Sequence, residues 1–242
     1  MMPKRIAPAR RKEELFFNLW KFYPAKTLRR RAFRTIAAPV LAGRTLDVGG
    51  GLGPYRKYLS GVSYFSIEIS PLLSPDLVGS ALELPMLTNS IDAILMNDVL
   101  EHLPDPAVAI REAFRCLRPG GQVFATTPFL WNLHYEPHDY YRFTGYALRH
   151  LFEKEGFVVS RVDPMGRVYS YLATRIAEKW FNLATKLFFF LPKRARRYAA
   201  FPFVAPVNLF LCAAAVLLDL TNRRDVFSFS LLAEKPHMVA SA

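Results

Sequence analysis

The order of apolar segments predicts an α/β fold built on a doubly wound, mostly parallel sheet. Three observations carry this. Apolar or β-branched runs recur at residues 45–48, 64–69, 77–80, 91–97, 122–127, 157–162 and 226–233. Helix-like stretches separate most of them. A glycine-rich turn, TLDVGGGLGPY at residues 45–55, follows the first run directly.

Taken in order, an N-terminal region with amphipathic spacing over 13–23 and 25–40 comes first. In the first run, Leu46 and Val48 flank Asp47 as the end of a buried strand. Pro54 suits a first helical position because it has no amide hydrogen to leave unpaired. The glycines are therefore expected in a strand-to-helix turn, where they tolerate positive φ and let a ligand approach the backbone. Further on, Asp105-Pro106 forms an N-cap and first-turn pair. Ala107, Ile110, Phe114 and Leu117 then share one helical face, and the helix ends before Pro119-Gly120-Gly121. Thr144 caps a second helix with Leu148, Leu151 and Phe152 inward, closed by Gly156. No internal repeat or low-complexity tract interrupts the pattern.

Composition bounds the rest. The chain has 242 residues, 52% of them hydrophobic, enough for one full α/β domain with appended structure. Cys116 and Cys212 sit in apolar helical surroundings without His or Cys at metal spacing. They read as packing residues of a reducing compartment, with neither a disulfide framework nor a metal site expected. The N-terminus is too charged to supply the apolar core of a secretory signal, so the catalytic part is expected in the cytoplasm.

The net charge of +12 is unevenly spread: residues 1–44 carry +10, residues 168–224 carry +7, and the remainder carries −5. A mildly acidic domain with two basic appendages points to an anionic surface as a partner. Solvated charge on ordinary helices is the alternative for the first segment. It suits the second less well, because that one is also very apolar.

Ligands of such a sheet bind beyond the carboxyl ends of the strands. Glu68 ends the second run, 21 positions after Asp47, where an acid can accept hydrogen bonds from both ribose hydroxyls. The glycine turn and this acid together indicate an adenosine-containing ligand, against the alternative of a structural turn beside an unrelated glutamate.

At this point the chain closely resembles the class I S-adenosylmethionine-dependent methyltransferases, in particular the "type 11" family. The matching pieces are LDVGGGLG at 46–53, Glu68, ALELP at 81–85, NSIDAI at 89–94, NDVLEHL at 97–103 and LRPGG at 117–121. The resemblance implies a Rossmann-like seven-stranded sheet whose last strand, residues 226–233, runs antiparallel between the fifth and sixth. It implies S-adenosylmethionine as cofactor, with a nicotinamide nucleotide a distant second. Asp47 would face the methionine ammonium, and Gly49, Gly51 and Gly53 would let the backbone approach. Glu68 would hold the ribose, Ser80 and Ala81 would lie by the adenine, and Asn97 near the methionyl end. Ser80 departs from the family, where an Asp usually accepts from the adenine amino group.

Methyl transfer from a sulfonium is an in-line displacement with a good leaving group. Positioning supplies most of the catalysis, and a base is needed only when the nucleophile holds its proton tightly. After the fifth run, PFLWNLHYEPHDYYRFT at 128–144 crowds His134, Glu136, His138, Asp139, Tyr140, Tyr141 and Arg142 together, with aromatic walls suited to an acceptor. His138 is the favoured base, His134 the second, and Asp139 the orienting partner. The alternative is a structural lid ending in the Thr144 cap. Glu101 and His102 are read as bracing their loop.

Between the sixth and seventh runs lies an aromatic-rich helix, a turn at PKRARR, and then residues 201–220 with one charge, Asp219. That length could span a bilayer. Two spanning helices would, however, put the basic turn outside while both flanking strands stay in a cytoplasmic sheet, against the positive-inside tendency. An in-plane or shallow hairpin fits better, its Phe and Trp at the interface and its Lys and Arg on anionic headgroups. Packing on the domain or on a second subunit, giving a homodimer, is the alternative.

The expected organisation is a basic N-terminal helical segment (1–43), a cofactor-binding core (44–167), an apolar and basic helical hairpin (168–224), and a last strand with a tail (225–242). The expected function is methylation of a hydroxyl on a membrane lipid, lipid-linked saccharide or other apolar acceptor, by an enzyme peripheral on the inner membrane face. RNA or protein methylation and a catalytically silent membrane scaffold are the alternatives. Nucleic acid is disfavoured because the basic segments alternate with bulky apolar residues and contain no recognisable RNA-binding module.

Overall fold

The computed structural model describes residues 24–51, 53–59, 61–220 and 225–237. The helix expected over 13–23 lies outside them. The chain enters with α1 (Pro24–Ala32), which runs on through a π-helical turn, Phe33–Ala37. Then follow β1 (Arg44–Val48), β2 (Ser63–Glu68), β3 (Leu77–Val78), β4 (Ile91–Asn97), α2 (Pro106–Cys116), β5 (Leu117–Pro128), α3 (Gly145–Lys154) and β6 (Val158–Arg167). A hairpin of α4 (Val168–Leu187) and α5 (Lys193–Asp219) precedes β7 (Val226–Glu234).

The seven strands form one sheet in the order β3-β2-β1-β4-β5-β7-β6. The first five pair in parallel, whereas β7 is antiparallel to both β5 and β6. This is the topology that the family resemblance implies. Both expected caps form: Asp105 Oδ1 accepts the Ala107 N–H at 3.1 Å, and Thr144 Oγ1 accepts the Ala147 N–H at 3.1 Å. Gly156 takes φ +95° just beyond α3, as a helix-closing glycine does.

One face of the sheet is sealed by α2 and α3, whose Ile110, Leu148 and Phe152 pack on Leu46, Ile94, Met96 and Val123. The other face departs from expectation. The helix predicted after the glycine turn is a single 3₁₀ turn, Arg56–Tyr58. Of the 14 residues between Val48 and Ser63, the glycine turn at 49–53 takes five, and the nine left fall short of the roughly dozen residues of a parallel crossover with its own helix. The N-terminal segment takes the missing helix's place: Phe33, Ala37 and Leu41 lie against Tyr64, Ala93, Leu95, Phe124 and Leu232. Phe33 is fully buried, edge-on to Phe124 at 6.0 Å and 4.5 Å from the Tyr55 ring. What composition presents as a basic appendage thus supplies core.

The hairpin helices pack through Ala184, Ala200 and Val204, with Trp180, Phe181 and Phe188 around them, and α1 lies against both helices. Asp219 explains its own presence in an apolar stretch. Its carboxylate accepts from the Arg167 N–H at 3.0 Å, from the Ser170 N–H at 3.4 Å and from the Ser170 hydroxyl, so the end of α5 caps the start of α4. At the tip, the Arg196 guanidinium donates to the carbonyls of Leu191 and Phe189. Outward, Phe189, Phe190, Phe203, Leu209, Phe210 and Leu217 are exposed. Residues Ala195–Asp219 are long and apolar enough to cross a membrane by length and composition.

Candidate functional site

The parallel register brings the carboxyl ends of β1, β2, β4 and β5 to one edge. Val48 lies opposite Ile67 and Met96, and Asn97 lies opposite Thr126. The loops leaving these ends hold nearly every residue that the sequence marks as functional.

After β1, Gly49, Gly51 and Gly53 take φ of +66°, +49° and +63°. A Cβ on Gly49 would lie 2.5 Å from Val99 Cγ2, so both backbone angle and space require glycine there. Asp47 is buried beneath this loop and accepts a hydrogen bond from the Tyr64 hydroxyl. Burial pushes its carboxyl up to about 7; the Tyr64 hydrogen bond works against that and the nearby Glu68 adds to it. A cationic ligand over the loop would reverse the shift, which suits a methionine ammonium. Glu68 is half-buried at the end of β2, and its Oε1 accepts the N–H of the next residue, Ile69, at 2.9 Å.

Beyond β3, Ser80 makes a tight turn: its hydroxyl oxygen accepts the Leu82 N–H at 3.1 Å, and it bridges to Glu83. That turn ends β3 after two residues, where the sequence pattern suggests four. Ala81 is half-buried against the core. Helix α2 pins this segment, because Glu112 accepts the Leu84 N–H while Arg115 donates to the Leu84 and Met86 carbonyls. Asn97 takes the Thr126 hydroxyl at 3.4 Å on Oδ1, while its Nδ2 is buried without a partner. An unsatisfied buried donor at this edge marks where a ligand or water would bond.

Sequence reasoning did not foresee a contribution from α1. Arg29 pairs with Asp98 at 2.6 Å, and its guanidinium sits 5.9 Å from the Trp131 ring. The N-terminal helix therefore rests directly on the loops after β4 and β5.

The loop after β5 folds onto the 3₁₀ turn Leu100–His102. The Glu101 carbonyl accepts the Tyr140 and Tyr141 N–H groups, the Tyr141 hydroxyl donates to the Pro104 carbonyl, and His102 Nδ1 lies 2.6 Å from the His138 carbonyl oxygen. The expected pairing of Asp139 with His138 does not occur. Asp139 receives both terminal nitrogens of Arg142 at 2.7 Å, the His134 N–H at 2.9 Å, and His134 Nδ1 at 3.3 Å. Arg142 holds the Asp139 carboxyl well below the usual range. The His138 ring is exposed instead and, among the described residues, meets the Tyr140 hydroxyl at 3.1 Å. Adjacent residues in an irregular loop project in different directions, so proximity in sequence gave the wrong partner.

His134, the second candidate, is half-buried, and burial lowers its pKa against the opposing pull of the Asp139 carboxylate. Its ring lies edge-on to His102, 4.6 Å between centroids. Glu101 joins them. Its backbone braces the loop as expected, but its carboxylate is fully buried and both oxygens lack a hydrogen-bond partner. Burial raises its pKa well above the ordinary value, and the neighbouring Asp98 adds to this. One donor atom from each of Glu101, His102 and His134 lies within 4.8 Å of the others. Local spacing hid this group, since His134 is 32 positions from His102 and only the fold unites them.

Comparison with known proteins accords with this geometry. Residues 46–125 match the family described as the methyltransferase domain of type 11. The chain is 26% identical over 151 residues to an uncharacterized chloroplastic methyltransferase of Arabidopsis thaliana, covering 49% of this chain and 42% of that one. It is 34% identical over 106 residues to an uncharacterized methyltransferase of Mycobacterium bovis, covering 39% and 42%. The chain thus spans less than half the length of these curated relatives. Among solved structures, a phosphoethanolamine N-methyltransferase of Haemonchus contortus, in complex with phosphomonomethylethanolamine and S-adenosylhomocysteine, superposes with a TM-score of 0.62 at 18% identity, covering 98% of this chain and 62% of that one. Strand order, glycine loop and family match converge: residues 46–125 match the methyltransferase domain family, within a seven-stranded sheet of the class I methyltransferase topology.

Proposed function

We propose that the chain transfers the methyl group of S-adenosylmethionine to a hydroxyl of a lipid, lipid-linked saccharide or other apolar acceptor at an anionic membrane surface. The observation that carries the cofactor assignment is the convergence of the glycine loop, buried Asp47 and Glu68 at adjoining strand ends. The positive-φ glycine loop keeps its backbone free of side chains, and Asn97 Nδ2 is buried without a partner, so the residues present fit the cofactor. In this reading Glu68 takes the ribose hydroxyls, Asp47 the ammonium, and Ser80 and Ala81 the adenine side. The cofactor supplies an electrophilic methyl on sulfur. The protein orients the acceptor oxygen in line with it and excludes water.

The acceptor side is the loop after β5, where Tyr140 and Tyr141 bond the Glu101 carbonyl and the Tyr135 ring packs on His102 and His134. His138, facing outward, is not used. The membrane part of the reading is supported by the exposed aromatic and aliphatic side chains of the hairpin, which neighbour Lys179, Lys186 and Arg196.

Two measurements test this. Calorimetric titration with S-adenosylmethionine should show micromolar binding that Glu68→Ala weakens; absence of binding to folded protein would refute the cofactor assignment. Flotation with phosphatidylglycerol-containing vesicles should carry the protein at low salt, and Phe189→Ser with Phe210→Ser should reduce it. Recovery of a stable dimer and no vesicle binding would favour a second copy as the hairpin's partner.

A further inference from the structure

We propose that Glu101, His102 and His134 form a binding site for one divalent transition-metal ion at the carboxyl ends of β4 and β5. The donor set is two imidazoles and a carboxylate, a combination that suits zinc and its first-row neighbours and leaves at least one position open. A tetrahedral ion holds its ligands roughly 3.4 Å apart, so the present spacing of up to 4.8 Å needs a contraction of up to about 1.4 Å, within the reach of side-chain rotation.

Glu101 is the first reason. Its carboxylate is fully buried, yet neither oxygen has a hydrogen-bond partner, and the approaching group is His102 Nε2 at 3.8 Å. Neither of the two arginines nearby bonds it: Arg29 pairs with Asp98 and keeps its Nε buried without a partner, and Arg142 donates to Asp139, Trp131, Tyr141 and Asn132. A buried carboxylate with no donor is costly, and an ion would satisfy it.

The outer contacts of the imidazoles are the second reason. Metal-bound histidines use one ring nitrogen on the ion and give the other to a carbonyl or carboxylate. His102 directs Nδ1 to the His138 carbonyl, and His134 directs Nδ1 to Asp139 Oδ2 and the Asn132 carbonyl at 3.2 Å. Both arrangements leave Nε2 available. Asp139, itself clamped by Arg142, is then a positioning residue that fixes the His134 ring. Both imidazoles are about one-fifth exposed, which gives the ion a way in.

The open position would receive the acceptor oxygen. That clause rests on the function proposed above; metal uptake does not, because it is read with neither cofactor nor acceptor present.

The test is titration of the tag-free full chain with Co²⁺, followed by its visible absorption, and with Zn²⁺ by calorimetry. One equivalent should bind at micromolar concentration. Glu101→Gln and His134→Ala should each weaken binding at least 100-fold, Asp139→Asn about 10- to 100-fold, and His150→Ala, on the exposed face of α3, should leave it unchanged. Circular dichroism identifies any variant that does not fold. The inference is overturned if the folded wild-type chain takes up no ion at 100 µM, or if folded His102→Ala and His134→Ala bind as the wild type does. The wild-type titration decides the matter even if Glu101→Gln is unfolded.

Discussion

The sheet domain and the α4–α5 hairpin are both rich in phenylalanine, and they use it in opposite ways. Phe124, Phe152 and Phe227 are fully buried on the sheet, while Phe189, Phe190 and Phe210 each expose about 70% of their surface. In the domain, strands alternate two faces and each is covered, one by α2 and α3 and the other by the N-terminal segment. In the hairpin, the centre of the contact seam is made of small residues, Ala184 and Ala200 among them; Trp180, Phe181 and Phe188 flank it, and many other large side chains point away. Small residues let two helices approach closely, at the cost of leaving the bulky ones outside. Apolar content therefore reports how much surface seeks cover, not what covers it.

The largest effect should come from removing a buried ring. Phe152→Ala should lower unfolding free energy by about 3–5 kcal/mol in denaturant titration, whereas Phe210→Ala should change it by less than about 0.5 kcal/mol. Equal losses would mean that the hairpin's outer face is packed in the monomer, and the contrast would break.

Next is the cleft. Glu68→Ala should cost about 2–3 kcal/mol of cofactor affinity, roughly 30- to 150-fold, through lost charge-assisted hydrogen bonds. Stability should hardly move, because among the described residues the Glu68 side chain bonds only to its neighbour's amide.

The hairpin's base comes third. Asp219→Ala removes the acceptor for the start of α4 and should cost about 1–2 kcal/mol, the range of a lost helix cap. Vesicle binding should survive if the outer face alone makes the contact.

The smallest effect is a proton. With its carboxyl raised from 3.8 to about 7 by burial, Asp47 is protonated in the folded chain over a window where the unfolded chain is ionised. The folded state binds more protons there, so this group's contribution to stability falls as pH rises from about 4 to 7. A cationic ligand favours the ionised form. Cofactor binding near pH 6 should therefore release up to one proton and tighten toward pH 8. Calorimetry in buffers of different ionisation enthalpy reads the release, and its absence would remove Asp47 from the ammonium.

Much of this molecule was determined by local sequence alone. Strand positions, the caps at Asp105 and Thr144, and the glycine loop follow from side-chain periodicity, hydrogen-bonding capacity and permitted φ, each of which acts over a few residues. Asp47 and Glu68 were legible for the same reason: they end strands in a motif whose order fixes their place. Only the tertiary structure could replace the absent crossover helix with Phe33 and Ala37, turn Asp139 away from His138 toward His134 and Arg142, and seat Arg29 on Asp98. It alone assembled Glu101, His102 and His134. Those outcomes depend on which loops pack against each other and on the direction each side chain takes within them. Irregular backbone has no period from which that direction can be read.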